Sequence, residues 1–160
     1  MRTNKTEAGI IAAAVLALAL PLVQAWEGRS LVAYSDIAGV PTICDGETRG
    51  VKMGDTATPI QCDAMTEAAV AEFDMAIQPC LPADLPTETR AAFVVAAYNI
   101  GADAFCKSSM ARKAVAGDLR AACDALMRWN KARVKGRLQE VRGLTNRRAA
   151  ERALCLRGLM

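Results

Sequence analysis

Histidine is absent from all 160 residues. Its absence excludes Ser-His-Asp and Cys-His nucleophilic catalysis, His-Glu-x-x-His zinc sites and any imidazole proton shuttle. Carboxylates are then the acid/base groups available near neutral pH. Cys-x-x-Cys pairs are absent too: at least 16 residues separate neighbours among Cys44, Cys62, Cys80, Cys106, Cys123 and Cys155, which is not zinc-ligand spacing. No internal repeat or low-complexity linker divides the chain. With 52% hydrophobic and 23% charged residues it is neither a disordered tail nor a coiled coil, and its length suits one domain with one core.

A net charge of +3 conceals an uneven distribution. Residues 1–106 carry 6 Lys and Arg against 13 Asp and Glu, whereas residues 107–160 carry 14 against 4. A basic C-terminal third can face nucleic acid, anionic lipid or an acidic polymer such as a cell-wall glycan with peptide carboxylates; it can also be a solvated helical surface. The even cysteine count, behind an export-type segment, reads as up to three disulfides in an oxidising compartment, with buried free thiols as the alternative. Six cysteines allow about 15 connectivities. Cys44 with Cys62, Cys80 with Cys106 and Cys123 with Cys155 is the preferred set, because each pair closes a short loop between neighbouring elements.

Residues 8–25 contain no charge and no cysteine. As a helix they span about 27 Å, just short of a hydrocarbon core of about 30 Å. Seven of the 18 are Ala, and Gly9, Pro21 and Gln24 further weaken membrane insertion. Three readings follow: a signal peptide cleaved after Ala25, a permanent anchor, or an anchor weak enough to leave the membrane. With Arg2 and Lys5 as the positive flank, all three put the N-terminus in the cytoplasm and export the remainder.

Gly28 to Gly54, with five glycines and short alternating stretches, predicts a β-hairpin region. Thr58-Pro59-Ile60-Gln61 is a capping box that starts a helix running to about Gln78, ended by Pro79 and Pro82. A second helix starts at Pro86-Thr87-Glu88; its centre, Ala91 to Ala97, is apolar on nearly every side and predicts the core helix, stopped by Gly101. Further helices are expected over 104–116, 118–129 with Asp118 as cap, and 145–158 with Thr145 as cap. The arrangement is α+β: an N-terminal helix, a small β-hairpin subdomain and a mostly helical lobe.

A cleft between hairpin and lobe is the default substrate site. Glu27, Asp36 and Thr42 stand at its head. Glu27, directly after an apolar helix, would be partly desolvated and suited to act as a general acid; Asp36, in a polar hairpin, would stay ionised and could hold a water. Two such carboxylates are the minimum for glycoside hydrolysis. The same residue types in a Gly-rich stretch also serve as turn and surface residues. Trp129 and Arg128 could line a sugar groove, although Trp129 at helical spacing from Ala125 and Leu126 also fits a core position. Tyr34 could touch substrate or pack under the hairpin. Arg147, Arg148 and Glu151 fit a structural ion-pair cluster better than a substrate contact.

The string Trp26-Glu27-Gly28 through Tyr34-Ser35-Asp36, Gly39-Val40-Pro41-Thr42 and Gly46-Glu47-Thr48 resembles the signature of bacteriophage-type lysozymes, glycoside hydrolase family 24. Tyr98-Asn99-Ile100-Gly101, Arg128-Trp129 and Gly143-Leu144-Thr145-Asn146-Arg147-Arg148 continue the resemblance, which covers about residues 26–158. It implies a lysozyme-like fold and hydrolysis of the β-1,4 bond between N-acetylmuramic acid and N-acetylglucosamine. It also implies Glu27 as general acid, Asp36 as general base and Thr42 as a water-placing residue. Inversion would place the carboxyls roughly 6.5–9.5 Å apart. Glu47 departs from the pattern, since many members carry His there.

The whole chain resembles signal-anchor-release (SAR) endolysins. This implies a membrane segment over 1–25 and a catalytic domain over 26–160, exported in an inactive tethered form and activated when the anchor leaves the bilayer. A freed anchor that is apolar all round is expected to be largely buried against the domain, where it orients Glu27. The resemblance implies peptidoglycan as substrate, the host inner membrane as an early partner and a functional link to a holin or pinholin that depolarises it. The released form is expected in the periplasm as a monomer, with no cofactor, metal or nucleic acid. The alternatives are a secreted lysozyme with a cleaved signal peptide and a non-enzymatic wall-binding or membrane-disrupting protein.

Overall fold

The computed structural model describes residues 5–160; Arg2 of the basic flank lies outside the described residues. Helix α1, Lys5–Trp26, leads into a hairpin of β1, Ser30–Ser35, and β2, Pro41–Cys44. The strands are antiparallel, with Tyr34 opposite Thr42 and a bulge between Ser30 and Tyr34. Helix α2, Pro59–Ile77, starts at the expected capping box, in which Thr58 and Gln61 each satisfy the other's backbone N–H. A 3₁₀ turn over Gln78–Cys80 takes in Pro79 and ends it.

Helix α3, Thr87–Ile100, is the core helix: Ala91 to Ala97 have no exposed surface. It packs against α7, α1 and α2. The single helix expected over 104–116 is instead two, α4, Ala102–Cys106, and α5, Ser109–Val115. Ser108 breaks the run by taking an extended conformation and accepting the Ala111 N–H on its hydroxyl. Helix α6, Leu119–Ala125, is capped by Asp118 and tightens into a 3₁₀ turn over Leu126–Trp129, so the 118–129 expectation holds with a changed last turn.

The sequence reading contained no second hairpin, yet β3, Lys131–Val134, pairs with β4, Arg137–Glu140. Lys135 and Gly136 join them with φ of 49° and 80°, the left-handed pair that a tight two-residue connection requires. The last helix, α7, spans Arg142–Arg157, three residues earlier than expected. Thr145 is therefore not its cap. Its N–H continues the helix to the Val141 carbonyl, and its hydroxyl accepts from Asn130 Nδ2 instead.

All three disulfides pair as preferred. Cys44–Cys62 ties β2 to α2, Cys80–Cys106 ties the turn after α2 to α4, and Cys123–Cys155 ties α6 to α7. Loops of this length stabilise by about 3–4 kcal/mol each in the chain-entropy account.

The expectation that α1 would be largely buried is corrected. Thr6–Trp26 is long and apolar enough to cross a membrane, yet only 17% of its apolar window is buried. Val15, Ala19 and Val23, four residues apart, form one stripe that joins the main core. The helix lies on α3 and α2. Leu16, Leu18, Leu20 and Leu22 are partly buried against the same core, whereas Ile10, 65% exposed, stays in solvent.

Candidate active site

Glu27 is the first residue past α1, and its N–H donates to the Val23 carbonyl at 2.9 Å, so the last turn of that helix fixes its backbone. Its side chain is one-quarter exposed, and Oε1 accepts from Arg147 Nη1 at 2.7 Å. Arg147 is itself buried, and its Nε donates to Glu151 Oε1 at 3.2 Å. Glu151, fully buried, also accepts from Arg148 Nη1. Arg148 in turn donates to Asn99 Oδ1 on α3 and, through Nε, to the Trp129 carbonyl at 3.1 Å.

Burial pushes the Glu151 carboxyl up, against the opposing pull of Arg148 and Arg147. Burial likewise pushes the Arg148 guanidinium down, against Glu151. Two arginines and one glutamate give this buried set a formal net charge of +1, and the Glu27 carboxyl faces it through Arg147. Arg147 Nη2 is buried without a hydrogen-bond partner. The expected ion-pair cluster of Arg147, Arg148 and Glu151 is therefore present, and it also grips Glu27.

Asp36 follows β1. Its Oδ1 accepts the Ala38 and Val40 N–H groups, both at 2.8 Å, which makes it the cap of the hairpin turn. Gly39, with φ of 80°, supplies the left-handed residue. Thr42 is buried on β2 and donates its hydroxyl to the Val40 carbonyl at 2.9 Å. The peptide groups of Val40 thus tie Asp36 to Thr42. Glu27 stands at the other end of β1 and shares no hydrogen bond with either. Tyr34, opposite Thr42, is 40% exposed, which disagrees with packing beneath the hairpin.

A charge lock lies under the hairpin. Asp45, buried, accepts from Arg29 Nε and Nη2 at 2.9 and 2.6 Å and from the Thr66 hydroxyl at 2.6 Å. Burial would raise its carboxyl, but the Arg29 and Thr66 hydrogen bonds outweigh that and hold it below its ordinary range. Tyr98 donates its hydroxyl to the Asp45 carbonyl oxygen at 2.9 Å. Burial, with Glu27 and Asp45 nearby, pushes that phenol up to about 12.

Beside Tyr98 opens a cavity of about 340 Å³, walled by Glu47, Arg49, Glu72 and Phe73. Arg49 grips Glu47 with Nε and Nη2 at 3.0 and 2.9 Å and reaches Glu72 with Nη1 at 2.6 Å. That grip holds the Glu47 carboxyl below its ordinary range. Glu47, the departure from the family pattern, thus stands in an ion-pair triad. Trp129 is partly buried against the core, as its spacing suggested, and Arg128 is exposed. Asn99 and Tyr98, which the residue-level reading did not single out, join the site through tertiary contacts that leave no local pattern. Among the described residues no group of three His, Cys, Asp or Glu could hold a metal ion.

This arrangement, two carboxylates at opposite ends of one strand with a buried arginine on the first, can be set beside known proteins. The phage lysozyme family model matches residues 24–151. The SAR-endolysin of Pseudomonas phage phiKMV is 42% identical over 144 residues, 89% of this chain and 89% of that protein. The solved active form of the P1 phage endolysin Lyz superposes with a TM-score of 0.78 at 27% identity, covering 95% of this chain and 94% of that one. The secreted inactive form of Lyz superposes with a TM-score of 0.56 at 24% identity, covering 99% and 98%. The chain belongs to the phage lysozyme family and is an endolysin of that family, a muramidase-type glycoside hydrolase.

Proposed function

We propose that this endolysin inverts the β-1,4 bond between N-acetylmuramic acid and N-acetylglucosamine, with Glu27 as general acid, Asp36 as general base and Thr42 as the residue that places the water. Protonated Glu27 gives its proton to the leaving glycosidic oxygen. Asp36, through the oxygen not engaged in its turn, takes a proton from a water that attacks the anomeric carbon from the opposite face. As Glu27 becomes a carboxylate, the buried Arg147, Arg148 and Glu151 set, net +1, receives a compensating charge, so preorganised groups stabilise charge as it develops.

Residues 1–25 act as a releasable anchor and 26–160 as the catalytic domain. The anchored protein has its N-terminus in the cytoplasm and its domain in the periplasm. A holin or pinholin depolarises the membrane, the segment exits, and the freed enzyme works in the periplasm as a monomer.

The observation that carries this reading is the bond from Glu27 N–H to Val23 O. The residue that would deliver the proton takes its backbone position from the last turn of α1. A helix drawn into lipid carries that turn with it, away from Arg147 on α7.

Replacing residues 8–25 with a cleavable signal peptide tests the proposal. The truncated periplasmic product is expected to lack murein-cleaving activity, whereas the full-length product gains it on depolarisation with no change in intact mass. Full activity from the truncated product refutes the role of α1.

A further inference from the structure

The hairpin β3–β4 has no place in the mechanism, yet it is the most heavily cationic exposed segment of the molecule. Lys131, Arg133, Lys135 and Arg137 fall within seven residues, all exposed. Among the described residues none of the four forms an ion pair. Leu138 and Val134 are 66% and 38% exposed beside them. In the antiparallel register Arg133 faces Leu138 and Val134 faces Arg137. Opposed residues share a face, so each face presents one guanidinium next to one apolar side chain.

Its base is fixed relative to the catalytic carboxylate. The Trp129 carbonyl, just before the hairpin, accepts from Arg148. Asn130 accepts the Val141 N–H at 2.9 Å and donates to Thr145 at 3.1 Å. Arg148 and Thr145 flank Arg147, which holds Glu27. Four-residue strands project about 13 Å from such a base.

We infer that the β3–β4 hairpin binds the peptide stems of peptidoglycan, its arginines and Lys135 taking their carboxylates and Leu138 and Val134 their alkyl groups. The inference rests on peptidoglycan being the substrate, and it adds that the substrate is read as a peptide-bearing glycan. The stems are short peptides with free carboxylates beside methyl and methylene groups, and they leave the sugar next to the cleaved bond. Charge complementarity on both faces, alternating with apolar groups, matches that chemistry, and the hairpin reaches several residues along a stem.

The test compares native enzyme with the triple variant Arg133→Glu, Lys135→Glu, Arg137→Glu on intact peptidoglycan and on glycan strands stripped of peptides by an amidase. On intact peptidoglycan KM is expected to rise about tenfold with kcat unchanged, as for loss of a few exposed charge contacts; on stripped strands neither changes. Raising ionic strength should erase the native enzyme's preference for the intact substrate, a readout that needs no variant to fold. Equal KM values for the native enzyme on both substrates, or a variant defect of equal size on both, overturn the inference. So does a variant that loses only its binding to phosphatidylglycerol vesicles, since the surface then faces lipid. If native enzyme releases no reducing ends from either substrate, the hydrolytic reading fails. The hairpin is then judged by cosedimentation with intact and stripped cell walls, where equal recovery overturns it.

Discussion

The hairpin β1–β2 is fixed to its surroundings by a disulfide from Cys44 to Cys62, a salt bridge from Arg29 to Asp45 and a small core of Ala33, Ile43, Cys44 and Cys62. The hairpin β3–β4 is tied at its base by Asn130, and every residue along β4 is exposed. Both are short antiparallel ribbons on one helical lobe. In the proposed mechanism the first keeps Asp36 and Thr42 in register with Glu27, and a shift of an ångström there changes proton-transfer geometry. The second forms no ion pair among the described residues. Cross-linking and buried charge thus accompany the chemistry, and exposed charge accompanies the surface left free.

The widest separation between the two should come from removing the proposed acid. Glu27→Gln is expected to lower kcat on peptidoglycan by about 10²–10⁴ with the fold intact, the range for loss of general acid catalysis. Neutralising Arg133 should leave kcat within a factor of about two. Reducing-end release with thermal unfolding as a control measures both; a Glu27→Gln variant that retains native kcat removes this residue from the mechanism.

Next in size is Glu151→Gln. It leaves Arg147 and Arg148 buried with no carboxylate between them, and breaking such a pair costs about 3–5 kcal/mol. Denaturant unfolding should show that loss, with a fall in kcat because Arg147 no longer holds Glu27. Changing Glu140, exposed opposite Lys131, should cost under about 0.5 kcal/mol.

Much of the first hairpin and of the lobe was legible in the chain. The capping box at Thr58, the apolar centre of α3 and the three short-range cysteine pairs are local patterns, and each appears where it was read. The motif pointed to Glu27, Asp36 and Thr42, and the structure joins Asp36 to Thr42 on one turn through Val40 while Glu27 stands at the other end of β1. The second hairpin was hidden because β3 alternates cation with small or apolar residues and β4 is exposed throughout, so no buried face marks the period. Its signal was the Lys135-Gly136 turn. Thr145 misled for a different reason: a threonine before an amphipathic run reads as a cap, but Asn130 takes its hydroxyl instead. The extent of α1 burial depends on which stripe meets α3, and composition does not encode that.

The pH response should separate the hairpins further. Asp45 and Glu47 both have carboxyls held below their ordinary range by arginines. Because the folded-state value is the lower one, their stabilisation is fully present above the ordinary carboxylate range and is lost as pH falls below about 4 toward the folded-state values. Unfolding free energy measured from pH 6 down to pH 3 should therefore fall, and Asp45→Asn should flatten that slope. The cations of β3–β4 have no paired acid, so Arg137→Gln should leave the slope unchanged. A native slope kept by Asp45→Asn would mean that the lock under the first hairpin contributes nothing to acid stability.

The smallest expected effect falls on a single backbone position. Gly136, at φ of 80°, sits at the tip of β3–β4 with nothing within 4 Å of where a Cβ would be. Alanine there meets no clash, only the left-handed backbone penalty of about 1 kcal/mol. Because every residue of β4 and most of β3 are exposed, that strain should appear as local fraying, read by faster amide exchange at Lys131 to Glu140, with global unfolding scarcely moved. Gly39→Ala offers the same open space at nearly the same φ. Its turn, however, carries Asp36, so a comparable backbone strain should lower kcat on peptide-free glycan. If Gly136→Ala lowered kcat on that substrate as much as Gly39→Ala, the second hairpin would be coupled to the chemistry, and the division of labour between the ribbons would be wrong.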